Sequence, residues 1–345
     1  MSGGVVEAED VGKSGYVEVL KQVRQAGLLE RQTRYYVVKI VANLLSQVIG
    51  WAALVFLGDS WWQLLTAAYL AFTFGQSAIV GHDAGHWQIT RSDRLRCLIG
   101  YIHMNFAIGL SFGWWIERHR RHHVNPNDTI KDPDAVSGFL GFTPSQVQEK
   151  GGLGRFLCKY QAFLLLPAMF VAQSPSMHWN HARQLISTRF ARRPLEMLLL
   201  LAHAILYLIV VLAVLSPVRA LVFVLVQQGL FGSYLGAIIA PNHKGMQMFG
   251  SQGPREFLTR QVESSRNILG GRLVEGFFGG LNYQIEHHLF PTMSIPCLRK
   301  ARPIVRSYCA QNGLVYVETG IIDSYKQALL SLHRAGRVAL TGFHD

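Results

Sequence analysis

Long apolar blocks alternate with polar segments along this chain, and four blocks are long enough to cross a bilayer. A membrane-spanning helix needs roughly 20 mostly apolar residues. The four blocks cover residues 37–57, 61–81, 195–215 and 219–240. The short links "GDS" and "SPV" join the first block to the second and the third to the fourth, so the pattern predicts an all-α integral membrane protein with four transmembrane helices in two hairpins. Asn43 and Gln47, one turn apart in the first block, are predicted to form interhelical hydrogen bonds.

Two shorter apolar stretches, residues 97–115 and 159–173, do not fit the simple pattern. The first contains His103, Asn105 and three glycines, and the second is interrupted by Pro167. We interpret both as helices that lie in the membrane interface or dip partway into the bilayer.

The remaining polar segments, residues 82–194 and 241–345, are predicted to form a cytoplasmic helical cap. Together with the spans they make one membrane domain, residues 31–345, after a polar tail of residues 1–30. Residues 1–13 are rich in glycine and acidic side chains and are expected to be disordered. In the cap, "ARPIVRSYCAQNGLVYVET" is predicted to form a helix and then a short strand.

Basic residues are unevenly distributed, which predicts the orientation in the membrane. The chain has 33 Lys and Arg and a net charge of +12, yet the only one of them at the two hairpin links is Arg219, which directly follows "SPV". Because cytoplasmic loops of membrane proteins are enriched in Lys and Arg, both termini and the central loop are expected in the cytoplasm. No motif that binds nucleic acid accompanies the charge, so membrane lipid is an expected partner and nucleic acid is not.

Histidines are concentrated in three boxes beside the apolar blocks. "HDAGH" ends the second block, "HRRHH" lies in the central loop and "QIEHH" lies in the C-terminal segment, while "APNHKGM" follows the fourth block. Helical residues at i, i+3 and i+4 share one face, so each box would present its side chains together. These segments contain eight candidate metal-binding histidines: His82, His86, His119, His122, His123, His243, His287 and His288.

The number of candidate ligands indicates more than one metal ion. Eight histidines plus Gln284 exceed the three or four ligands of a zinc site and suffice for two metals. Nitrogen ligands without thiolate suit iron, copper, nickel or zinc, and the affinity order alone does not choose among them. The HExxH motif of metalloproteases is absent.

The three boxes, in this order around two hairpins, resemble those of the membrane fatty acid desaturase family. The resemblance covers about residues 32–330 and is close in "WWIERHRRHHVNPN", "PNHKGM" and "LNYQIEHHLFP". Gln284 stands where many acyl-CoA desaturases have histidine, as in the acyl-lipid and front-end branch and in some bacterial members. The family implies a non-haem diiron centre that uses O2 and two electrons to introduce a cis double bond into a fatty acyl chain. It also implies a multi-pass protein, here of a bacterial inner membrane.

Carried over position by position, the resemblance makes the eight histidines ligands of two iron ions. Gln284 is a candidate further ligand, directly or through water, and Asn242 a candidate for positioning that water. Asp132 and Asp134 would orient imidazoles through their second N–H group, or else be solvated turn residues. An apolar acyl tunnel is expected beneath the histidines. Its candidate walls are aromatic residues that could equally be core or interface anchors: Trp87, Phe112, Trp114, Trp115 and Phe278.

The source of electrons is expected to be a separate protein. The sequence contains no cytochrome b5 haem segment, ferredoxin cysteine set or GxGxxG flavin motif. A ferredoxin, or a cytochrome b5-type protein with its reductase, would therefore supply them. A basic cap would attract such a partner if the partner is acidic.

Two other functions remain open from the residues alone. A membrane hydroxylase of alkanes, lipids or carotenoids would use the same iron centre. A non-enzymatic membrane metal-binding protein would need ligands along a path through the bilayer, whereas these boxes gather at one face.

Four further histidines are not expected to bind metal. His103 and His203 lie within apolar stretches and are predicted to be satisfied core residues. His178 and His181, three residues apart, are predicted to face a wet surface or lipid headgroups.

Overall fold

The computed structural model describes residues 4–136, 138–187, 192–250 and 256–341, with side chains from residue 15 to residue 337. The described chain is mostly helical, which confirms the predicted class. It divides into two compact units. The cap unit comprises residues 1–30, 119–165 and 238–345, and the membrane unit comprises residues 31–118 and 166–237.

The helices and strands are numbered here in chain order. The α-helices are α1 (Gly4–Gln25), α2 (Thr33–Leu57), α3 (Gln63–Gly85), α4 (Asp93–Gly100), α5 (Phe112–Val124), α6 (Pro144–Gln148), α7 (Gly152–Lys159), α8 (Gln161–Ala168), α9 (Ser174–Ser187), α10 (Arg193–Val214), α11 (Pro217–His243), α12 (Phe257–Glu263), α13 (Arg272–Phe278), α14 (Gln284–Leu289), α15 (Ile295–Gln311) and α16 (Ile321–Thr341). Two π-helical segments, Tyr101–Phe106 and Met169–Gln173, follow α4 and α8. The strands β1 (Asn267–Leu269) and β2 (Glu318–Gly320) pair in parallel.

Within the described residues, four helices are long and apolar enough to span a membrane: α2, α3, α10 and α11. They coincide with the four predicted blocks and confirm them. Two of them run a few residues further than predicted, and α3 therefore contains His82 while α11 ends on His243. The predicted interhelical bonds are also confirmed, since Asn43 donates to the Thr73 carbonyl and Gln47 to the Ser77 hydroxyl, both at 3.2 Å.

The two shorter apolar stretches behave differently from each other. Residues 97–115 fall in α4, a π-helical segment and the start of α5, and none of these is a candidate span. Helix α7 and the helical run from Gln161 to Ser187 meet at a bend of 92°, and as a pair they pass the same test of length and composition. This stretch is therefore a broken span or a re-entrant segment.

The links of the two hairpins are joined in the membrane unit. Asp59, in the link between α2 and α3, accepts hydrogen bonds from the backbone N–H and the hydroxyl of Ser216 at 2.9 and 3.1 Å. Arg219 pairs with the same carboxylate at 2.5 Å. One acidic side chain thus ties the two links together.

The expected polar tail is instead part of the cap unit. Helix α1 runs from Gly4, and Val19 and Val23 are fully buried in the main apolar core with Leu258 of α12 and Val305 of α15. The prediction of disorder is therefore wrong over the described residues, because the apolar residues later in the helix give it a face to bury.

The predicted helix and strand near the C-terminus are confirmed as α15 and β2. The strand pairs with β1, which lies about 50 residues earlier, and α16 follows it directly. This arrangement brings the segment before α14 and the end of the chain into one folded cap.

Candidate metal centre

Six histidines of the cap unit form one cluster of imidazole rings. The cluster contains His119, His122 and His123 of α5, His243 at the end of α11, and His287 and His288 of α14. Ring centroids within it are 4.3 to 6.3 Å apart. The i, i+3, i+4 spacing explains why α5 and α14 each present their histidines on one face.

Three of these rings, those of His122, His243 and His288, converge on one point. One nitrogen of each ring lies within 4.8 Å of the corresponding nitrogens of the other two. The three residues are only 2 to 3% exposed. Three buried imidazoles that face one another are a usual ligand set for zinc and for transition metals.

The other nitrogen of each ring in this trio is held by a fixed acceptor. The Nδ1–H of His122 donates to the Asp132 carboxylate (2.9 Å), that of His243 to the Ser264 carbonyl (3.0 Å) and that of His288 to the side-chain oxygen of Gln261 (2.9 Å). Since the proton is then on Nδ1, the lone pair of each neutral ring is on Nε2. Metal-binding histidines are commonly oriented in this way.

Asp132 is buried and is not a solvated turn residue. It is 0% exposed and accepts hydrogen bonds from the backbone N–H of Asn127 and of Asp134, each at 2.8 Å. Burial disfavours the charged form of His122, but the Asp132 carboxylate outweighs this effect and raises the pKa of His122. Asp134 is less closely involved, because its carboxylate is 3.7 Å from His122 and 32% exposed.

Gln284 and Asn242 lie beside the same trio. The amide nitrogen of Gln284 is 2.9 Å from Nε2 of His243, and its oxygen accepts a hydrogen bond from Asn242 at 3.2 Å. Asn242 also donates to the Leu281 carbonyl at 3.1 Å, and its oxygen has no partner among the described residues. Both amides therefore reach the ligand nitrogen of His243 or its immediate surroundings.

The other three histidines of the cluster lie next to the trio. The Nε2 atoms of His119 and His123 are 3.0 Å apart, and the ring of His287 is 4.8 Å from that of His123. His123 also stacks on His288 with centroids 4.3 Å apart. The cap unit thus offers imidazole ligands at two adjacent positions.

Glu286 lies inside the third box and anchors α14. It accepts hydrogen bonds from Asn267 of β1 at 2.8 Å and from the Tyr316 hydroxyl at 2.6 Å. Burial raises the pKa of Glu286 to about 7, although these two donors act in the opposite direction. The helix that carries His287 and His288 is therefore fixed to the strand pair by a buried carboxyl group.

In the membrane unit, His82 and His86 form a pair at the end of α3. Their ring centroids are 4.6 Å apart, and Trp115 packs against them at 5.3 and 6.0 Å. Nδ1 of His82 lies 3.2 Å from the Asp83 carboxylate, which pairs with Lys39 at 2.6 Å. The pair therefore has the predicted i, i+4 arrangement and a charged acceptor beside one ring.

Trp87 is the most exposed of the predicted tunnel residues. It is 36% exposed, and the Arg96 guanidinium lies 4.3 Å from its ring centroid. It lies just past the end of α3, where the chain turns with a positive φ of 61°. The other aromatic candidates are buried or half-buried, namely Phe112, Trp114 and Trp115 in the membrane unit and Phe278 in the cap unit.

The membrane unit also contains an apolar groove of about 420 Å³. Residues of α2, the first π-helical segment and α10 line it, among them Trp51, Phe106 and Tyr207. None of the predicted tunnel residues lines this groove.

His103 is buried, whereas His203, which was predicted to be a core residue too, is only half-buried and lines this groove. His103 is 1% exposed, and its Nδ1 lies 3.5 Å from the Ser77 hydroxyl. His203 is half-buried and its Nδ1 donates to the Phe106 carbonyl at 2.7 Å.

The prediction of a wet surface is wrong for His181. This residue is 7% exposed, and its Nδ1 accepts the backbone N–H of Ser111 at 3.1 Å. Helix α9 turns this side chain toward the start of α5, so the ring serves as a hydrogen-bond acceptor. His178 is half-buried, with its ring centroid 5.3 Å from that of His181.

Three residues accept hydrogen bonds from the Nδ1–H groups of the trio, and two of them were not predicted from the sequence. The role of Asn127 was not predicted either. Gln261 and Ser264 lie 27 and 21 residues from their histidine partners, in a segment without a metal-binding motif. Asn127 has a φ of 56° and donates to three carbonyls, including that of His243 at 3.2 Å. Its position in "HHVNPN", next to the second box, was the available signal.

The residues present fit a metal ion bound by nitrogen. Ligand nitrogens lie about 2.0–2.1 Å from such a metal, so the trio needs only small side-chain rotations to close on one ion from its present spacing of at most 4.8 Å. The four cysteines are buried and form no part of the three candidate metal-binding groups of the described residues. The donor set is thus imidazole with amide and carboxylate support.

Comparison with known proteins agrees with this chemistry. Residues 59–320 match the fatty acid desaturase family model. The acyl-lipid (9-3)-desaturase of Physcomitrium patens is 28% identical over 323 residues, which are 90% of this chain and 61% of that protein. Fatty acid desaturase 3 of Bos taurus is 27% identical over 337 residues, 95% of this chain and 75% of that protein. The delta(8)-fatty-acid desaturase of Helianthus annuus is 28% identical over 344 residues, 95% of this chain and 74% of that protein.

This chain therefore spans about three fifths of the moss relative and about three quarters of the other two. The family match covers most of the chain, including all three histidine boxes and three of the four candidate spans, α3, α10 and α11. The predicted resemblance is confirmed, and the chain belongs to the fatty acid desaturase family.

Proposed function

We propose that this protein is an O2-dependent fatty acyl desaturase with a non-haem diiron centre. The observation that carries the proposal is the trio of His122, His243 and His288. Their ligand nitrogens face one another in a buried site, and each ring is oriented by its own acceptor. Membership of the desaturase family selects acyl desaturation among the reactions that such a site supports.

The eight histidines of the boxes and of "PNHKGM" are the proposed iron ligands. Six of them cluster in the cap unit, and His82 and His86 are paired in the membrane unit. Asp132 orients His122, and Gln284 and Asn242 are proposed to hold a ligand or a water beside His243. Bound iron would supply the O2 chemistry that removes two hydrogens from an unactivated acyl chain.

The chain's own residues contribute orientation and exclusion of water. The trio and its acceptor Asp132 are 0 to 3% exposed, so the ligands are held in a site that bulk water does not enter. Fixed imidazoles would hold the metal ions in place without reorganisation during the reaction. This explains why the site needs buried acceptors as well as ligands.

The proposed substrate is a fatty acyl chain whose carrier is an acyl-lipid or an acyl-CoA. An acyl-lipid is the first carrier to test, because the moss relative is named for it. The proposed orientation places both termini and the boxes in the cytoplasm, as the distribution of Lys and Arg indicates. A separate acidic redox protein is proposed to deliver the two electrons to the basic cap.

Fatty acid analysis of a host that expresses this chain tests the proposal. New cis double bonds, located by derivatisation and gas chromatography with mass spectrometry, are the expected result. The His288→Ala variant should lose them, because it removes one ring of the trio. His333→Ala is the matched control: this histidine is also in the cap unit but outside the candidate metal groups, and it should retain full activity.

The same analysis separates the alternatives. New hydroxyl groups without double bonds would identify a hydroxylase, and unchanged lipids with retained metal would favour a metal-binding protein. Turnover by the purified chain with NADPH and O2 alone would contradict the separate electron donor.

A further inference from the structure

The first turn of α5, the helix that carries the second histidine box, is capped by buried side chains of the membrane unit. The first backbone N–H groups of a helix have no partner within the helix. Here four successive N–H groups donate to side chains. The N–H of Ser111 donates to His181 and that of Phe112 to Asn105, both at 3.1 Å. The N–H of Gly113 donates to Glu196 at 3.2 Å, and that of Trp114 to the Ser111 hydroxyl at 3.1 Å.

Glu196 is the acidic residue among the side chains that cap the N-terminus of α5. It lies in the first turn of α10 and is 1% exposed. Besides the N–H of Gly113, its carboxylate accepts the Ser111 hydroxyl and the side-chain amide of Asn105, the latter at 3.3 Å. A buried carboxylate is tolerated when several donors bind it, and negative charge is favoured at a helix N-terminus.

Gly113 shows how closely the carboxylate approaches the helix. A Cβ at this position would lie 2.6 Å from Oε1 of Glu196, well inside contact distance. The glycine therefore permits a direct bond between the carboxylate and the helix backbone. These bonds fix both the height and the rotation of the first turn of α5 relative to α10.

The capped turn is continuous with the second box. Helix α5 runs without interruption from Phe112 to Val124, so His119, His122 and His123 follow the cap by two to three turns. A slip of one residue moves a helix by about 1.5 Å and turns it by about 100°, whereas metal–ligand distances vary by only about 0.2 Å. An α5 that is not held at its start would misplace three imidazoles at once.

We propose that Glu196, whose hydrogen bonds are to Asn105, Ser111 and Gly113, is a positioning residue for the metal centre, acting through the N-terminal cap of α5. The inference extends the proposed function. It rests on that function only for the statement that the metal centre is catalytic. His181, Asn105 and Ser111 accept the other N–H groups of the first turn of α5, and Glu196 is the acidic residue among the four acceptors.

The test uses the purified full chain in lipid nanodiscs and Co²⁺ as the metal probe. Glu196→Gln keeps the shape of the side chain but replaces one carboxylate oxygen with an NH2 group. This NH2 group is a donor and cannot accept a hydrogen bond from the N–H groups of the helix. We expect amide hydrogen exchange in residues 112–118 of the metal-free protein to accelerate at least tenfold. We also expect Co²⁺ affinity to fall at least tenfold, with an altered visible absorption band.

Tyr207→Phe is the matched control. It removes one buried hydrogen bond of α10, from the Tyr207 hydroxyl to Gln227 at 3.1 Å, three turns away from Glu196. It should leave α5 exchange and the Co²⁺ spectrum as in the wild type. A milder variant, Gly113→Ala, displaces the carboxylate without removing it and should change both readouts in the same direction as Glu196→Gln, even if the latter does not accumulate.

Unchanged exchange in α5, or unchanged Co²⁺ affinity, in both variants would overturn the inference. Because neither readout depends on turnover, the result is independent of the lipid analysis. A wild-type protein that binds Co²⁺ but makes no double bonds would refute the proposed function while leaving the positioning role intact.

Discussion

The group that accepts the hydrogen bond from each Nδ1–H determines how firmly that histidine of the trio is held. His122 has a buried carboxylate, His243 a backbone carbonyl and His288 a side-chain amide. A carboxylate gives the strongest of these hydrogen bonds, and it also increases the basicity of the ring toward a metal. His122 should therefore be the trio member whose metal binding depends most on a single neighbouring side chain.

We predict that Asp132→Asn weakens metal binding about 10- to 100-fold, the range seen when such orienting partners are changed. The amide keeps the shape of the carboxylate but loses its charge and one of its acceptors. Titration of the purified protein with Co²⁺ measures the effect. Asp134→Asn is the control, since that carboxylate is 3.7 Å from His122 and partly exposed, and equal losses in the two variants would contradict the argument.

Among single residues, the sequence predicted which histidines cluster better than it predicted the residues that orient them. The histidines follow a helical spacing that can be recognised without a structure, and Asp132 was named because it lies in a short acidic motif near the second box. Gln261 and Ser264 carry no such signal, because tertiary folding alone brings α12 and its end to the third box and to α11.

At the scale of elements, α1 shows how a polar segment can support the site. Its Val19 and Val23 pack in the core that also includes Leu289 of α14 and Phe290 just after it. The Tyr16 hydroxyl donates to the Leu289 carbonyl at 3.3 Å. The helix that carries the third box is thus packed from one side by the N-terminal helix.

We predict that Val23→Asp destabilises the cap unit by about 3–5 kcal/mol, the usual effect of an uncompensated buried charge. For a unit of this size that corresponds to a decrease in Tm of roughly 10 °C. Val17→Asp, on the same helix but 59% exposed, should leave Tm within about 1–2 °C of the wild type. Thermal unfolding of both variants in detergent gives the comparison, and a similar Tm for the two would show that α1 does not support the core.

The long apolar helices were predictable because 20 consecutive apolar residues leave few alternatives. The π-helical segments, the cap of α5 and helix α16 were not predicted. The π-helical segments have no distinct composition, and the cap depends on Glu196, Asn105 and His181, which approach α5 from three different elements. In α16 the apolar positions recur at helical spacing with basic residues between them, so its amphipathic pattern was an available signal.

For the whole molecule, the orientation in the membrane is the property with the widest consequences. If both termini and the boxes are cytoplasmic, the hairpin links must face the opposite side. Trp62 in the first link and Val315 in the cap unit are 69% and 61% exposed, so a cysteine at either position would be accessible. All four native cysteines are buried and should add little background.

We predict that a membrane-impermeant maleimide labels Trp62→Cys in intact cells and labels Val315→Cys only after the membrane is opened. The positive-inside rule gives the physical reason, since the basic cap is retained on the cytoplasmic side. The reverse labelling pattern would invert the topology. Labelling of both positions in intact cells would contradict the four-span arrangement.

The ion pair at the hairpin links has a consequence for biogenesis. Arg219 is the single cation there, and Asp59 neutralises it. In the proposed orientation, the two links would cross the membrane with a matched pair of charges instead of a lone cation, and the membrane potential would neither help nor hinder their combined passage. The electrical signal that orients the newly made chain would then come from the basic residues on the opposite side.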